Sequence, residues 1–339
     1  MKYIYMVVLV ALMLVTLPVT AMAGQTLDDI QTRDLVICGA YEQVLGFSYE
    51  DTKGNWSGLD YDTCRAIAAA VLGDANKVKL VPVESYERFY GLRNKKFDVL
   101  TAATTWTFDR DTKYGISFTG INYYDGQGFM VHKKHKIDSV LELKNPKICI
   151  EAETTAVDNT PDYFKANGKS FTPVIAITMF EQGRFLASGK CDALTNDQSG
   201  LFSIRHDMKN SGDYVILPEV ISKEPLGPAV RDDDDQWYKI VKWTLNAMIN
   251  AEELGVNSEN VDEMLKSNNP AVHWLLGVKG DTGAELGLDD EWAYQIIKQV
   301  GNYGEVFERS LGQKSPLKIK RGLNGLWRDG GIMYAPPIK

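Results

Sequence analysis

The chain has 339 residues, 44% of them hydrophobic, and a formal net charge of −8 at neutral pH. That acidic balance argues against nucleic acid or an anionic membrane surface as a partner, since both repel a chain of this sign. The length exceeds what one core organises and suits two domains.

Residues 1–23 read as an export signal. Lys2 gives a thin positive start, an apolar run follows from Ile4 to Leu17, Pro18 breaks it, and Ala21-Met22-Ala23 supplies a small-x-small cleavage pattern. The run is shorter than the roughly 20 residues that span a bilayer, which argues against a membrane anchor. With no cysteine after the cleavage pattern, a lipid anchor is not expected. The mature chain should begin near Gly24, outside the cytoplasmic membrane. Without Lys2 it carries 36 basic and 45 acidic residues.

Strands then alternate with helices, which defines an α/β class. Residues 35–38 read as a strand. Asp60 is placed to cap a helix whose stripe is Tyr61, Cys64, Ile67 and Val71 and which Gly73 stops. A strand over 78–83 and a helix over 86–94 lead to the strand 97–101. The turn beyond it holds Thr104, Thr105 and Arg110. A strand that delivers exposed backbone N–H groups and an arginine to a rim suits an anion site, with Arg110 closing a two-pronged grip on a carboxylate. The alternative is a surface loop whose arginine pairs with Asp109 or Asp111.

The apolar strand Phe129-Met130-Val131 precedes the basic stretch from His132 to Lys136, where the chain is expected to cross into a second lobe. That lobe has its own alternation: strand 147–150, helix 161–167, strand 172–175, helix 178–188, strand 193–195 and a helix beyond Gly200. Thr160 reads as an N-cap with Pro161 at the first helical position. Residues 221–228 look like the return crossing, followed by a long amphipathic helix over 237–254 and a helical tail. The expected division is 24–130 with 228–339 as a discontinuous first lobe and 131–227 as the second. Ligands of such open sheets bind at the carboxyl ends of the strands, here in the cleft between lobes.

Four cysteines, Cys38, Cys64, Cys149 and Cys191, in an exported chain suggest two disulfides. Three pairings are possible, of which sequence order favours Cys38–Cys64 with Cys149–Cys191; the alternative is four free buried thiols. Enzyme signatures are mostly absent: there is no phosphate loop, no nucleophile elbow and no zinc-protease histidine pair. His132 and His135 are metal ligands or, more simply, part of a solvated charged turn. The run Asp232 to Asp235 holds calcium or complements the dipole of the helix that follows; the second is the simpler reading. No cofactor and no metal are expected. In the second lobe Glu153-Thr154-Thr155 follows a strand end as the first motif does, and either meets the same anion or forms a capping turn. Asp197 stands just past strand 193–195 and either pairs with a ligand ammonium or caps the next turn. Arginine and threonines for a carboxylate, with an aspartate for an ammonium, match the two charged ends of an α-amino acid.

On several stretches the chain resembles the periplasmic amino-acid-binding proteins of ABC transporters, solute-binding protein family 3, and looks nearest to its general L-amino-acid-binding members. The resemblance rests on the run from Gly58 to Ala66, on Thr104-Thr105-Trp106-Thr107, on Tyr124 to Met130 and on Ile221 to Pro228. In the tail it rests on Val300 to Glu305 and Arg321 to Trp327. It implies a two-lobed type II (Venus-flytrap) fold with a two-strand hinge, an L-amino-acid ligand, membrane permease subunits as partners and a monomer in the periplasm. It implies that Arg110, with Thr105 and the backbone near Ala103, grips the carboxylate, joined by Thr154 and Thr155 from the second lobe. Asp197 would hold the α-ammonium and Arg88 would reach the side chain or brace its helix. Ala103 stands where relatives often carry serine or asparagine, Glu153 where they carry glycine, and Ser85 where narrow-specificity relatives carry an aromatic. Glu153 adds a negative charge expected near the site. Rival readings are a dehydratase-like enzyme on the same fold, with Glu153 as its general acid, and a receptor feeding a sensor.

Overall fold

The computed structural model describes residues 24–339; the export signal read at 1–23 lies outside the described residues. Two five-stranded sheets organise the chain. In the first, strands run in the order Val78–Pro82, Val36–Ala40, Val99–Leu100, Ala229–Arg231 and Ile116–Phe118. The first three are parallel, and Ala229–Arg231 is antiparallel to both of its neighbours. In the second the order is Thr172–Ala176, Lys147–Glu151, Ala193–Asp197, Gln127–His132 and Tyr214–Ile216. Its Gln127–His132 strand pairs antiparallel with Ala193–Asp197 along that strand's whole length, so residues 127–130 belong to the second sheet. Between the sheets in the chain lie two short antiparallel strands, Tyr123–Asp125 and Glu224–Leu226, with Asp125 opposite Glu224.

Amphipathic periodicity explains the helices that cover these sheets. In the helix Asp235–Glu253, Trp237, Ile240, Val241, Leu245 and Met248 are buried at helical spacing, each contributing about 1.5–3 kcal/mol of apolar burial. Asp234 caps it, accepting from Trp237 N at 2.9 Å, so the acidic run acts at the helix start. The tail helices Trp292–Gln299 and Tyr303–Ser310 pack on this helix and on Leu59–Leu72, which keeps the C-terminal third with the first sheet. His132 Nδ1 accepts the Lys134 N–H at 3.0 Å and caps the short turn Lys133–His135.

Two elements depart from the sequence reading. Helix Leu59–Leu72 is preceded by Gly58, with φ 121°, where a Cβ would stand 2.2 Å from the Phe47 carbonyl oxygen. Asp60 caps nothing there. Helix Ala156–Ala166 begins five residues before Pro161, because the Thr154-Thr155 turn already nucleates it. The bond lost at Pro161 would have gone to the carbonyl of exposed Val157, where water can take its place, while Thr160 turns its hydroxyl onto Ala156 O at 2.7 Å.

The disulfides are Cys38–Cys64 and Cys149–Cys191. The first ties strand Val36–Ala40 to the helix covering it, the second ties Lys147–Glu151 to the turn entering Ala193–Asp197. With Cys38 and Cys64 separated by 26 positions in the sequence, loop closure in the unfolded chain is worth about 3–4 kcal/mol. A Cys38→Ala/Cys64→Ala variant should lose stability of that order in guanidinium unfolding, with m rising because the released unfolded chain exposes more surface; an unmoved midpoint would contradict this.

Candidate functional site

The strand Val99–Leu100 carries the chain into a turn fixed from two sides. Trp106 N donates to Pro225 O at 2.7 Å and Gly227 N to Thr104 O at 3.1 Å, so the turn is stitched to the returning strand Glu224–Leu226. Ala103 adopts a left-handed backbone, φ 38°, and its N–H donates to Asp60 Oδ2 at 2.8 Å. Asp60 is buried, and burial pushes its carboxyl up to about 7 despite that bond. The Ala103 N–H is therefore taken by the protein, and what Ala103 offers the cleft is shape.

Thr107 then caps the helix Phe108–Lys113, accepting from Arg110 N at 3.2 Å. That cap turns the Arg110 side chain inward, where it is 8% exposed and donates Nη1 to Thr105 O at 2.9 Å. It pairs with neither Asp109 nor Asp111; Asp109 is bound to Lys113. Burial, then the Arg88 guanidinium, lower its pKa to about 10. Both guanidinium groups lie over the Phe89 ring, Arg110 at 5.6 Å and Arg88 at 5.0 Å. A guanidinium has five donors, so most of those on Arg110 remain for a ligand.

Across the cleft, the strand Lys147–Glu151 ends in a turn whose Glu153 has φ 58°, a conformation that favours glycine. Glu153 is exposed and lines an outer groove rather than the inner cleft, which removes it as a general acid over a ligand. Thr154 Oγ1 donates to Glu151 O at 2.8 Å and Thr155 Oγ1 to Glu224 Oε2 at 3.0 Å. Their hydroxyl protons are thus used internally, and what they turn to the cleft is the opening of helix Ala156–Ala166 with its positive dipole end.

Asp197 ends the strand Ala193–Asp197 and stands at the start of helix Gln198–Asp207, yet its carboxylate caps nothing. Burial raises its pKa well above the usual carboxylate range, helped by Asp125 and Glu224 and opposed by Arg110 and Arg88. Asp125 is also raised, to about 6, chiefly by burial, although Ser199 Oγ at 2.5 Å and Gly126 N at 2.8 Å donate to it. No ion pair joins Asp197 to either arginine among the described residues.

These residues share one cleft with ≈ 590 Å³ of free space, part of it open to solvent, bounded by Thr105, Arg110, Arg88 and Ala103 on one side and Thr154, Thr155 and Asp197 on the other. The cleft also holds residues that the sequence reading passes over: Tyr41, Phe47, Glu151, Met179, Asn196 and Ser199. Tyr41 follows the strand Val36–Ala40, and Glu151 and Asn196 sit at the carboxyl ends of theirs. The strand-end rule would have found all three. Outside the inner cleft, Arg110, Thr154 and Thr155 also border a wider groove of ≈ 1360 Å³ that includes Tyr86, Tyr90 and Glu153.

Two α/β lobes joined by paired strands, with opposite charges buried between them, define the class: a hinged solute-binding protein of the type II, Venus-flytrap kind. Residues 36–259 match the model of the bacterial extracellular solute-binding proteins, family 3, and the chain belongs to that family. It is 50% identical over 322 residues, 94% of each chain, to the general L-amino acid-binding periplasmic protein AapJ of Rhizobium johnstonii. It is 46% identical over 320 residues, 94% of this chain and 95% of the relative, to the glutamate/glutamine/aspartate/asparagine-binding protein BztA of Rhodobacter capsulatus. A Brucella ovis periplasmic binding protein solved with glutathione bound superposes with a TM-score of 0.91 at 49% identity, covering 93% of this chain and 99% of that one.

Proposed function

We propose that this chain is exported, loses its leader near Ala23, and captures L-amino acids of several kinds between its lobes for delivery to the membrane permease of an ABC transporter. The observation that carries this reading is a pair of opposite charges, buried Arg110 and half-buried Asp197, facing one cleft from different lobes without being paired to each other. Arg110 takes the α-carboxylate with Thr105 and the start of the helix after Thr154 and Thr155; Asp197 takes the α-ammonium. Arg88 serves the side chain, and Ala103 contributes contour. The first lobe comprises 24–122 with 227–339 and the second the residues between, hinged on Tyr123–Asp125 and Glu224–Leu226. A ligand that touches both lobes stabilises the closed form, whereas one held by a single lobe leaves the equilibrium where it was. The role in this reading is binding rather than catalysis: Glu153, the acid that an enzyme on this fold would have used, lines the outer groove and not the inner cleft.

A second reading has one observation behind it. The outer groove continues from Arg110 and the two threonines, and the Brucella relative was solved with glutathione, so a γ-glutamyl peptide with its tail in that groove fits too. The test is a thermal-shift screen of all L-amino acids with glutathione, because a ligand bound only by the folded state raises Tm. Responses across many amino acids support the first reading, a lone response to glutathione supports the second, and no response to either class overturns both.

A further inference from the structure

Beside the two α-group residues the cleft contains a second polar assembly, built across the lobes. Arg88 is 2% exposed, donates Nη1 to the Tyr41 hydroxyl at 2.5 Å, and leaves its Nε without an acceptor. Tyr41 OH lies 2.7 Å from Ser85 Oγ, which in turn donates to Glu151 Oε1 at 2.8 Å from the opposite lobe. Asn196 Nδ2 is held by Gln182 Oε1 at 2.9 Å and reaches Glu151 Oε2 only at 3.4 Å. A donor that lacks an acceptor and a carboxylate with lone pairs to spare therefore border the same space. Leaving a buried guanidinium N–H unpaired is costly, and a ligand group that accepts there removes the cost.

We propose that Glu151 is the residue that selects the ligand side chain, and that with Arg88 it forms a subsite for a terminal carboxamide. The amide oxygen accepts from Arg88 and the amide NH2 donates to Glu151. A side-chain carboxylate satisfies Arg88 equally well but meets Glu151 as a second anion, so it enters only with one proton added between the two groups. The inference rests on the amino-acid reading above and deepens it.

Glu151 is already disposed to take that proton. Burial pushes its pKa up to about 7, Arg88 and the bonds from Ser85 and Asn196 oppose the rise, and Glu84 adds to it. Glutamate binding at pH 8 should then take up about one more proton than glutamine binding, and the glutamate Kd should rise about tenfold per pH unit above pH 7 relative to that of glutamine. Taking the difference between the two ligands cancels any proton released by groups at the shared α-ammonium.

The experiment is titration calorimetry of the wild-type protein with glutamine and with glutamate at pH 8, in two buffers of different ionisation enthalpy, repeated on Glu151→Gln. The glutamine side chain at 151 both donates and accepts, so glutamate should bind the variant about tenfold more tightly than it binds wild type at pH 8, with the extra proton gone. Equal proton uptake for the two ligands in wild type, or an unchanged glutamate-to-glutamine ratio in Glu151→Gln, overturns the side-chain subsite while leaving the amino-acid reading intact. Absence of binding by every amino acid overturns both.

Discussion

An Arg110→Ala variant is expected to lose amino-acid affinity by about a hundredfold to a few thousandfold, the 3–5 kcal/mol that accompanies removing one member of a desolvated ion pair. The unliganded variant should be no less stable than wild type. Arg110 sits buried without a carboxylate of its own, held by the Thr105 carbonyl and the Phe89 ring. Its pKa falls from 12.5 to about 10, so charging it costs the folded state free energy. The sign follows: for a base whose folded pKa is depressed, that cost is complete throughout the neutral range and is relieved only as pH climbs past about 10. Removing the side chain removes the cost together with the grip. Arg110→Lys should recover only part of the affinity, since a lysine keeps the charge but not the planar fork that meets both carboxylate oxygens. Calorimetry on the two variants with a thermal melt of each decides the matter. Affinity within threefold of wild type in Arg110→Ala would remove Arg110 from the site.

Arg110 also marks how far a sequence can be read. The alternation of strands and helices, the second core's outline and the cysteine order were legible because they depend on local periodicity and short chain distances. Thr105, Thr154, Thr155 and Asp197 were legible as candidates because each lies at or soon after a strand's carboxyl end, and Arg110 because it follows Thr105 by five positions in the same motif. The fate of the Ala103 N–H was not, since its acceptor, Asp60, is 43 residues away and reads locally as a helix cap. The hydroxyl of Thr155 goes to Glu224, 69 residues on, and the Ser85–Glu151 bond joins residues 66 apart. The first two partners are brought together by the folding of each lobe and the third by the approach of the two lobes, tertiary events that leave no periodic trace. Pro161 misled for a related reason. Proline fits a first helical turn well, but here the helix start is set by the turn that faces the cleft, and the proline is tolerated on an exposed face.

Asp197→Asn should separate function from stability in opposite directions. The substitution keeps the shape and one acceptor oxygen but removes the charge that meets an ammonium, so affinity is expected to fall by a hundredfold or more, again on the order of 3 kcal/mol. The unliganded protein should melt higher, by about a few degrees near pH 7. Burial, with Asp125 and Glu224 close by, holds the Asp197 pKa well above its ordinary value. For an acid raised in the folded state, the unfolded chain releases its proton first. The group's contribution is therefore fully present below the ordinary aspartate range and is lost as pH rises beyond it. The melting difference between Asp197→Asn and wild type should accordingly widen from pH 4 to pH 8, and it should close when wild type is saturated with an amino acid whose ammonium supplies the missing counter-charge. A melting difference that narrows with rising pH, or an Asp197→Asn protein that binds within threefold of wild type, would mean that the ammonium is held elsewhere in the cleft. Asp125 and Glu224 are then the carboxylates to change next, because they face Asp197 from the two hinge strands and bear on the same ligand charge.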